Sequence, residues 1–310
     1  MAALAQASRG PLFLGGRHLL RSSGLFSRIQ DGQSAAQRLS GVPSVQRRLF
    51  GDTKILVEFD ENKGIAVMKL KSPPVNSLSL DFLTEFSINL EKLENDKGCR
   101  GVILTSAVPH IFSAGLDIME MVGKSEAHYV EFWRAVQEMW LTLYNSSMVT
   151  VAAINGSSPA GGCMMALSCD YRIMAENPKY SIGLNETQLG IVAPFWFKDT
   201  LLNTVGHRAA ERSLQLGLLY SPAEALKVGL VDELVPEEKV QSRAAEVMSQ
   251  WLAIPGHARQ LSKSSLRKPT LDRLVAHRDS DIQNFVRFIS RDSIQRSLQT
   301  YIERLKQRKG

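Results

Sequence analysis

The chain of 310 residues has only three cysteines, Cys99, Cys163 and Cys169, an odd number without C-x-x-C spacing. That excludes a disulfide framework or a cysteine-built zinc site as its organising principle and makes a reducing compartment the simplest home. It lacks any run of eighteen apolar residues, so no membrane-spanning helix is expected. It also lacks G-x-x-x-x-G-K-S/T, G-x-G-x-x-G and H-E-x-x-H, and its six histidines are scattered without ligand spacing. Nucleotide-phosphate, dinucleotide and metal chemistry therefore miss their usual parts, and no metal site is expected. Aromatic residues are scarce at 7%, but a hydrophobic content of 44% supplies a core and excludes a disordered chain.

Acid is nearly missing from the first fifty residues. They hold seven Arg, no Lys and one acid, Asp31. This stretch is rich in Arg and Ser, and its apolar clusters, such as Leu12-Phe13-Leu14, are short. That is the composition of a mitochondrial transit peptide rather than a secretory signal. Arg48-Leu49-Phe50 before Gly51 resembles a matrix-protease site, so residues 1–50 are expected to be removed and the mature protein to reside in the matrix. The net charge of +6 lies wholly in that leader, which leaves the remainder neutral. Within the remainder, residues 257–310 hold 13 basic and 5 acidic side chains, so residues 51–256 carry the compensating negative excess. A helical tail of opposite charge to its body is expected to pack on that body or on a copy of it, with RNA binding as the competing reading.

The pattern is that of an α/β protein. A hairpin is predicted over 55–59 and 65–70, then a helix capped by Ser79 with Phe82, Phe86, Leu90 and Leu93 on one face. Buried strands at 101–105 and 149–154 each run into a small-residue loop and then a helix. After Pro269 the chain reads as helix, with Ile294, Leu298, Tyr301 and Leu305 on a stripe too apolar to leave exposed.

Three segments carry candidate chemistry. Gly156-Ser157-Ser158-Pro159-Ala160 approaches the nucleophile elbow of serine hydrolases, but Pro159 lacks the N–H that such a site needs on the residue after its serine. The glycines there instead let backbone approach a ligand, with Gly161 at a helix start. Phe112-Ser113-Ala114-Gly115-Leu116-Asp117 has the same design, and two such turns could aim two N–H donors at one oxygen. In the third segment Glu186 is the one charge between Tyr180 and Phe197. Desolvation there would raise its pKa and make it a base near neutral pH. Ile191, Val192, Phe195 and Trp196 follow as candidate lining of an apolar channel or as ordinary core.

Together, Phe112 to Asp117, Asn155-Gly156 through Gly161-Gly162-Cys163, and Ala166 to Arg172 resemble the crotonase (enoyl-CoA hydratase/isomerase) superfamily over about residues 53–310. The resemblance implies a crotonase-like spiral of β-β-α units over 51–256 and, over 257–310, a C-terminal helical oligomerisation region building a homotrimer. It implies an acyl-CoA substrate bound by Ala114, Gly115, Leu116, Asp117, Ile118, Gly161 and Asn185, with the backbone N–H groups of Leu116 and Gly161 as an oxyanion hole. No cofactor is implied, coenzyme A being part of the substrate, and neither nucleic acid nor a membrane span is expected. Hydratases of the family use two glutamates; here the first position is Met164 and only Glu186 remains. One base beside an oxyanion hole suits a 1,3-proton shift. The expected reaction is therefore the conversion of cis- or trans-3-enoyl-CoA to trans-2-enoyl-CoA in fatty-acid β-oxidation, with a hydratase, a dienoyl-CoA isomerase or a non-catalytic scaffold as alternatives.

Overall fold

A computed structural model of the chain describes residues 47–51 and 54–307. In chain order it forms strands β1 (Arg47–Gly51), β2 (Ile55–Asp60), β3 (Ile65–Leu70) and β4 (Ser77–Leu78), then helix α1 (Leu80–Glu94). Strands β5 (Gly101–Ser106), β6 (His110–Ile111) and β7 (Gly115–Leu116) lead to helix α2 (Glu126–Tyr144). Next come β8 (Val149–Ile154), β9 (Gly156–Pro159), α3 (Gly161–Ser168), β10 (Tyr171–Ala175) and β11 (Ile182–Gly183). The remainder is α4 (Phe195–Val205), α5 (His207–Leu216), α6 (Pro222–Lys227), β12 (Glu233–Val235), α7 (Val240–Leu252), α8 (Gly256–Ile289) and α9 (Asp292–Gln307).

The main sheet has the order β1-β2-β3-β5-β8-β10-β12, antiparallel through the β1-β2-β3 meander and parallel from β3 onward. Strands β5 and β8 are buried at every position, which is why they read as mostly apolar runs rather than alternating ones. A second small sheet, β11-β9-β6, grows from the chain just beyond the C-terminal ends of β5 and β8. Each turn of the chain thus delivers a strand, a shorter strand and a helix, the expected spiral of β-β-α units.

Ser79 caps α1 as predicted, its hydroxyl accepting from the Phe82 N–H, and Phe82, Phe86, Leu90 and Leu93 are buried. Burying each such side chain contributes about 1.5–3 kcal/mol. The C-terminal helices depart from expectation in two ways. Helix α8 begins at Gly256 and runs through Pro269, with its irregular backbone at His277 instead. The turns before the proline are held from outside, because Lys263 and Arg267 reach the Asp170 carboxylate at 3.0 and 2.9 Å. The α9 stripe, in turn, is covered by the chain itself: Leu298 is wholly buried, Ile302 nearly so, and Ile294 packs against the core. The argument from an exposed stripe to an oligomer interface therefore fails for these residues; the side chain of Leu305 lies outside the described set. The charge reading holds, since Arg273 and Arg278 also pair with Asp199 and Glu138 of the body.

The expected leader lies outside the described residues except for Arg47–Phe50, which with Gly51 form β1 against β2. The expected cleavage point thus falls within a strand.

Candidate functional site

The site forms where the small sheet brings three loops together. The Phe112 N–H donates to Ser157 O (2.8 Å), tying the first loop to the second; Ser158 and Ala160 N–H donate to Ser181 O (2.8 Å) and Gly183 O (2.7 Å), tying the second to the third. Asn76, wholly buried, locks the first loop from behind: its amide donates to Phe112 O at 2.9 Å and its carbonyl accepts from the Ser113 hydroxyl at 2.8 Å. Nothing in the sequence marks Asn76, because its partners are thirty-six and thirty-seven positions away.

The two loops touch at Gly115 and Gly161. A Cβ on Gly161 would lie 3.2 Å from the Leu116 nitrogen, and one on Gly115 would lie 2.8 Å from the Gly161 nitrogen. Gly115 also has φ +89°, which L side chains rarely adopt. Only glycines allow the backbones this close, and the approach brings the Leu116 and Gly161 nitrogens into one neighbourhood. Gly161 is the first residue of α3, whose opening N–H groups have no partner inside the helix. The residue before it, Ala160, provides no side-chain cap and sits at φ +50°, ψ −123°. Beside Leu116, the Asp117 N–H goes to Leu78 O at 3.2 Å, so the ladder with β4 is made by its neighbour.

Glu186 opens the 3-10 turn Glu186–Leu189 after β11. The turn is clamped from two sides: the Gln188 amide donates to Gly217 O (2.8 Å), the Thr187 hydroxyl to Leu214 O (2.6 Å), and Ser297 of α9 to Leu189 O (3.2 Å). Glu186 is half-buried as a residue, but its Oε2 is closed to solvent and has no hydrogen-bond partner, as has Asn185 Oδ1. Burial pushes the carboxyl up to about 7, opposed weakly by its own backbone N–H. A group so poised is divided between acid and base at neutral pH, the condition for moving a proton in both directions.

A cavity of about 550 Å³ joins these parts. Of the residues expected at the site, Ala114, Leu116, Ile118, Asn185 and Glu186 line it. Gly115 and Gly161 contribute through their backbone contact behind Leu116, and Asp117 turns away to cap the turn Ile118–Glu120, accepting from the Met119 N–H at 2.9 Å. Of the four apolar candidates, Ile191, Val192 and Phe195 reach the cavity, whereas Trp196 is core, buried between Trp140 and Phe197. Met164 is wholly buried and is not part of the lining. Sequence reading missed the wall supplied by α8 and α9, which includes Asp281, Phe285, Phe288 and Tyr301. The regular 281, 285, 288 spacing was its signal. Among the described residues no cluster of three or more His, Cys, Asp or Glu is disposed to hold a metal, and no helix is long and apolar enough to cross a membrane.

Comparison with known proteins agrees with this geometry. Residues 60–309 match the enoyl-CoA hydratase/isomerase family. The chain is 68% identical over 263 residues to human mitochondrial enoyl-CoA delta isomerase 1, covering 85% of this chain and 87% of that one. To the rat protein of the same name it is 67% identical over 263 residues, 85% of this chain and 91% of that one. The crystal structure of human mitochondrial delta3-delta2-enoyl-CoA isomerase superimposes with a TM-score of 0.82, covering 83% of this chain and all of that one.

Proposed function

The chain belongs to the enoyl-CoA hydratase/isomerase family and is a mitochondrial enoyl-CoA isomerase of fatty-acid oxidation; on that premise we propose how its residues shift a double bond. Glu186 removes a proton from the carbon between the thioester carbonyl and the 3,4-double bond. The electrons move onto the thioester oxygen, forming a dienolate, and the same carboxyl group returns the proton to the γ-carbon. The N–H groups of Leu116 and Gly161 receive the oxygen. Such donors act because they bind the developing charge more strongly than the ground-state carbonyl, and loss of one typically costs about 2.7–4 kcal/mol. The atoms balance with no oxidant, reductant or second acid, so the reading needs no cofactor.

The observation that carries this reading is the one unpartnered acid oxygen closed to solvent among the described residues, Glu186 Oε2, in a cavity it shares with Leu116; the other carboxylate of the lining, Asp281, is held by three donors. Hydration would require a second group to hold and deprotonate water, and the buried thioether of Met164 can do neither. The test is to compare double-bond migration in 3-hexenoyl-CoA with hydration of crotonyl-CoA, each followed in the ultraviolet. Migration is expected to be faster by orders of magnitude; equal rates would return the choice to a hydratase.

A homotrimer in the mitochondrial matrix remains part of the proposal. Leu261, Leu266 and Val275 on α8 are exposed and support a helical contact between copies. Nucleic-acid binding is not proposed, because Lys263, Arg267, Arg273 and Arg278 of the basic tail are engaged with body carboxylates.

A further inference from the structure

The cavity contains a carboxylate for which the isomerisation has no use. Helix α8 lines it with Asp281, Asn284, Phe285 and Phe288, one stripe on one helix face, and Arg291 follows in the link to α9. Asp281 and Phe285 are buried and Phe288 is half-buried, whereas Asn284 and Arg291 are exposed. At 1.5 Å per residue the helical stretch from Asp281 to Phe288 spans about 10 Å, with Asp281 at the inner end and Arg291 at the mouth.

The Asp281 hydrogen bonds among the described residues all fall on one oxygen. Its Oδ2 accepts from Trp133 Nε1 (2.8 Å), Gln137 Nε2 (2.8 Å) and Trp196 Nε1 (3.2 Å). These three donors sit on buried side chains of α2 and α4, so the carboxylate cannot swing away. No cation pairs with it among the described residues; nearby Arg278 goes to Glu138 at 2.8 Å. The second oxygen, Oδ1, is left as an acceptor in a hollow whose neighbouring wall is Met121, Trp133, Phe197 and Phe285.

Resting on the reading of the protein as a 3-enoyl-CoA isomerase, we propose that Asp281 makes the inner end of the acyl cavity a hydroxyl-accepting site. The enzyme then takes 3-enoyl-CoA thioesters ending in a hydroxyl in preference to equally long chains ending in methyl. A methyl group arriving at Oδ1 displaces water and leaves a charged acceptor unpaired, whereas a terminal hydroxyl donates in the water's place. A hydrogen bond to a charged group translates into a discrimination of about tenfold or more. Chains too short to reach the stripe's inner end feel neither effect.

The test measures kcat/KM of the full enzyme for 3-enoyl-CoA thioesters from hexenoyl to hexadecenoyl, each with and without a terminal hydroxyl. The hydroxyl-to-methyl ratio should stay near one for the shortest pair and rise by about tenfold or more at the length that reaches Asp281. Asp281→Asn keeps an acceptor for the three donors and turns an N–H towards the hollow, so a methoxy-ended chain, which accepts but cannot donate, should gain over its methyl-ended counterpart in the variant and not in the unaltered enzyme. As a readout independent of turnover, binding of saturated ω-hydroxyacyl-CoA to the unaltered enzyme should shift tryptophan emission, through Trp133 and Trp196, more than the methyl-ended thioester does. Equal ratios at every length, or a methoxy-ended chain treated alike by the unaltered enzyme and a folded Asp281→Asn enzyme, would overturn the proposal and leave Asp281 as an anchor of α8. Should the variant not fold, the ratio and emission of the unaltered enzyme decide. Failure to isomerise 3-hexenoyl-CoA, by contrast, would overturn the isomerase reading itself.

Discussion

The parallel strands β5, β8 and β10 give the sheet two ends, separated by six residues of strand or roughly 20 Å, and the carboxylates at the two ends, Glu186 and Asp170, are treated in opposite ways. At the C-terminal ends, Glu186 Oε2 and Asn185 Oδ1 are closed to solvent without partners, and α3 opens without a side-chain cap. At the N-terminal ends, the Asp170 side chain is 4% exposed and fully engaged: Lys263 at 3.0 Å, Arg267 at 2.9 Å and the Thr150 N–H at 2.9 Å. Burial depresses the Lys263 pKa to about 8 against the pull of Asp170, a measure of how dry that end is. Since native chains pair nearly all buried polar groups, the unpaired end is where a ligand completes the structure and the paired end is where the structure completes itself. Helix α8 touches both, with Lys263 and Arg267 at one end and Asp281 at the other.

The comparison can be broken most severely at Glu186. Replacement by Gln keeps the size and removes the base, so kcat should fall by about 10² to 10⁴ while acyl-CoA binding survives. Stopped-flow turnover and isothermal titration on the same preparation separate the two; near-normal turnover would remove Glu186 from the mechanism. Next in size is Gly115→Ala, whose methyl would press on the Gly161 nitrogen at 2.8 Å and sit at φ +89°. The displaced N–H groups should cost about a hundredfold in kcat/KM, with the larger share in kcat. An unaltered kcat would mean that the two amides do not share an oxygen.

The opposite end should respond in stability and not in chemistry. Asp170→Ala leaves two buried cations unpaired and should lower unfolding free energy by about 3 kcal/mol, measured by urea titration, with kcat nearly unchanged below the melting temperature. A comparable loss of kcat in the folded variant would show that the two ends are not separable.

The smallest effect is that of pH. With the ionised Glu186 proposed as the base, kcat/KM should rise as pH increases through about 7, by tenfold per unit on the acid limb. Stability moves the other way. The native carboxyl holds its proton to higher pH than the unfolded one, so from the ordinary glutamate range up to about pH 7 the folded state binds more protons and loses stability as pH rises. Glu186→Gln should therefore be more stable than the parent at pH 8 and lose that advantage near pH 4; equal melting curves at both would argue against a buried, raised carboxyl.

Much of the catalytic end was legible in the sequence, and for a physical reason. Local signals suffice for Ser79, which caps through a neighbour three residues on, and for Glu186, which stands out in an uncharged run. Glycine-rich strand exits likewise announce close backbone approach. What was illegible depends on distant partners. Asn76 looks like an ordinary loop residue until Phe112 and Ser113 arrive. Pro269 reads as a helix boundary, yet contacts made by Lys263 and Arg267 override that local preference. The α9 stripe showed that Leu298 must be covered but not that the chain itself covers it, and Asp281, one of five acids in a basic tail, gave no hint of two indoles waiting for it.

The paired carboxylate at Asp170 has a further consequence for how inherited variants present. Cells clear proteins according to the fraction unfolded, and a loss of one to two kcal/mol can change abundance several-fold. Variants at Asp170, Lys263 or Arg267 should thus deplete the enzyme while each surviving copy works normally, and a stabilising small molecule would help them. Variants at Glu186 or Gly161 should instead leave abundant protein that does nothing, and only replacement of the enzyme would serve. Measuring protein abundance and activity side by side in cells expressing each variant would sort one group from the other.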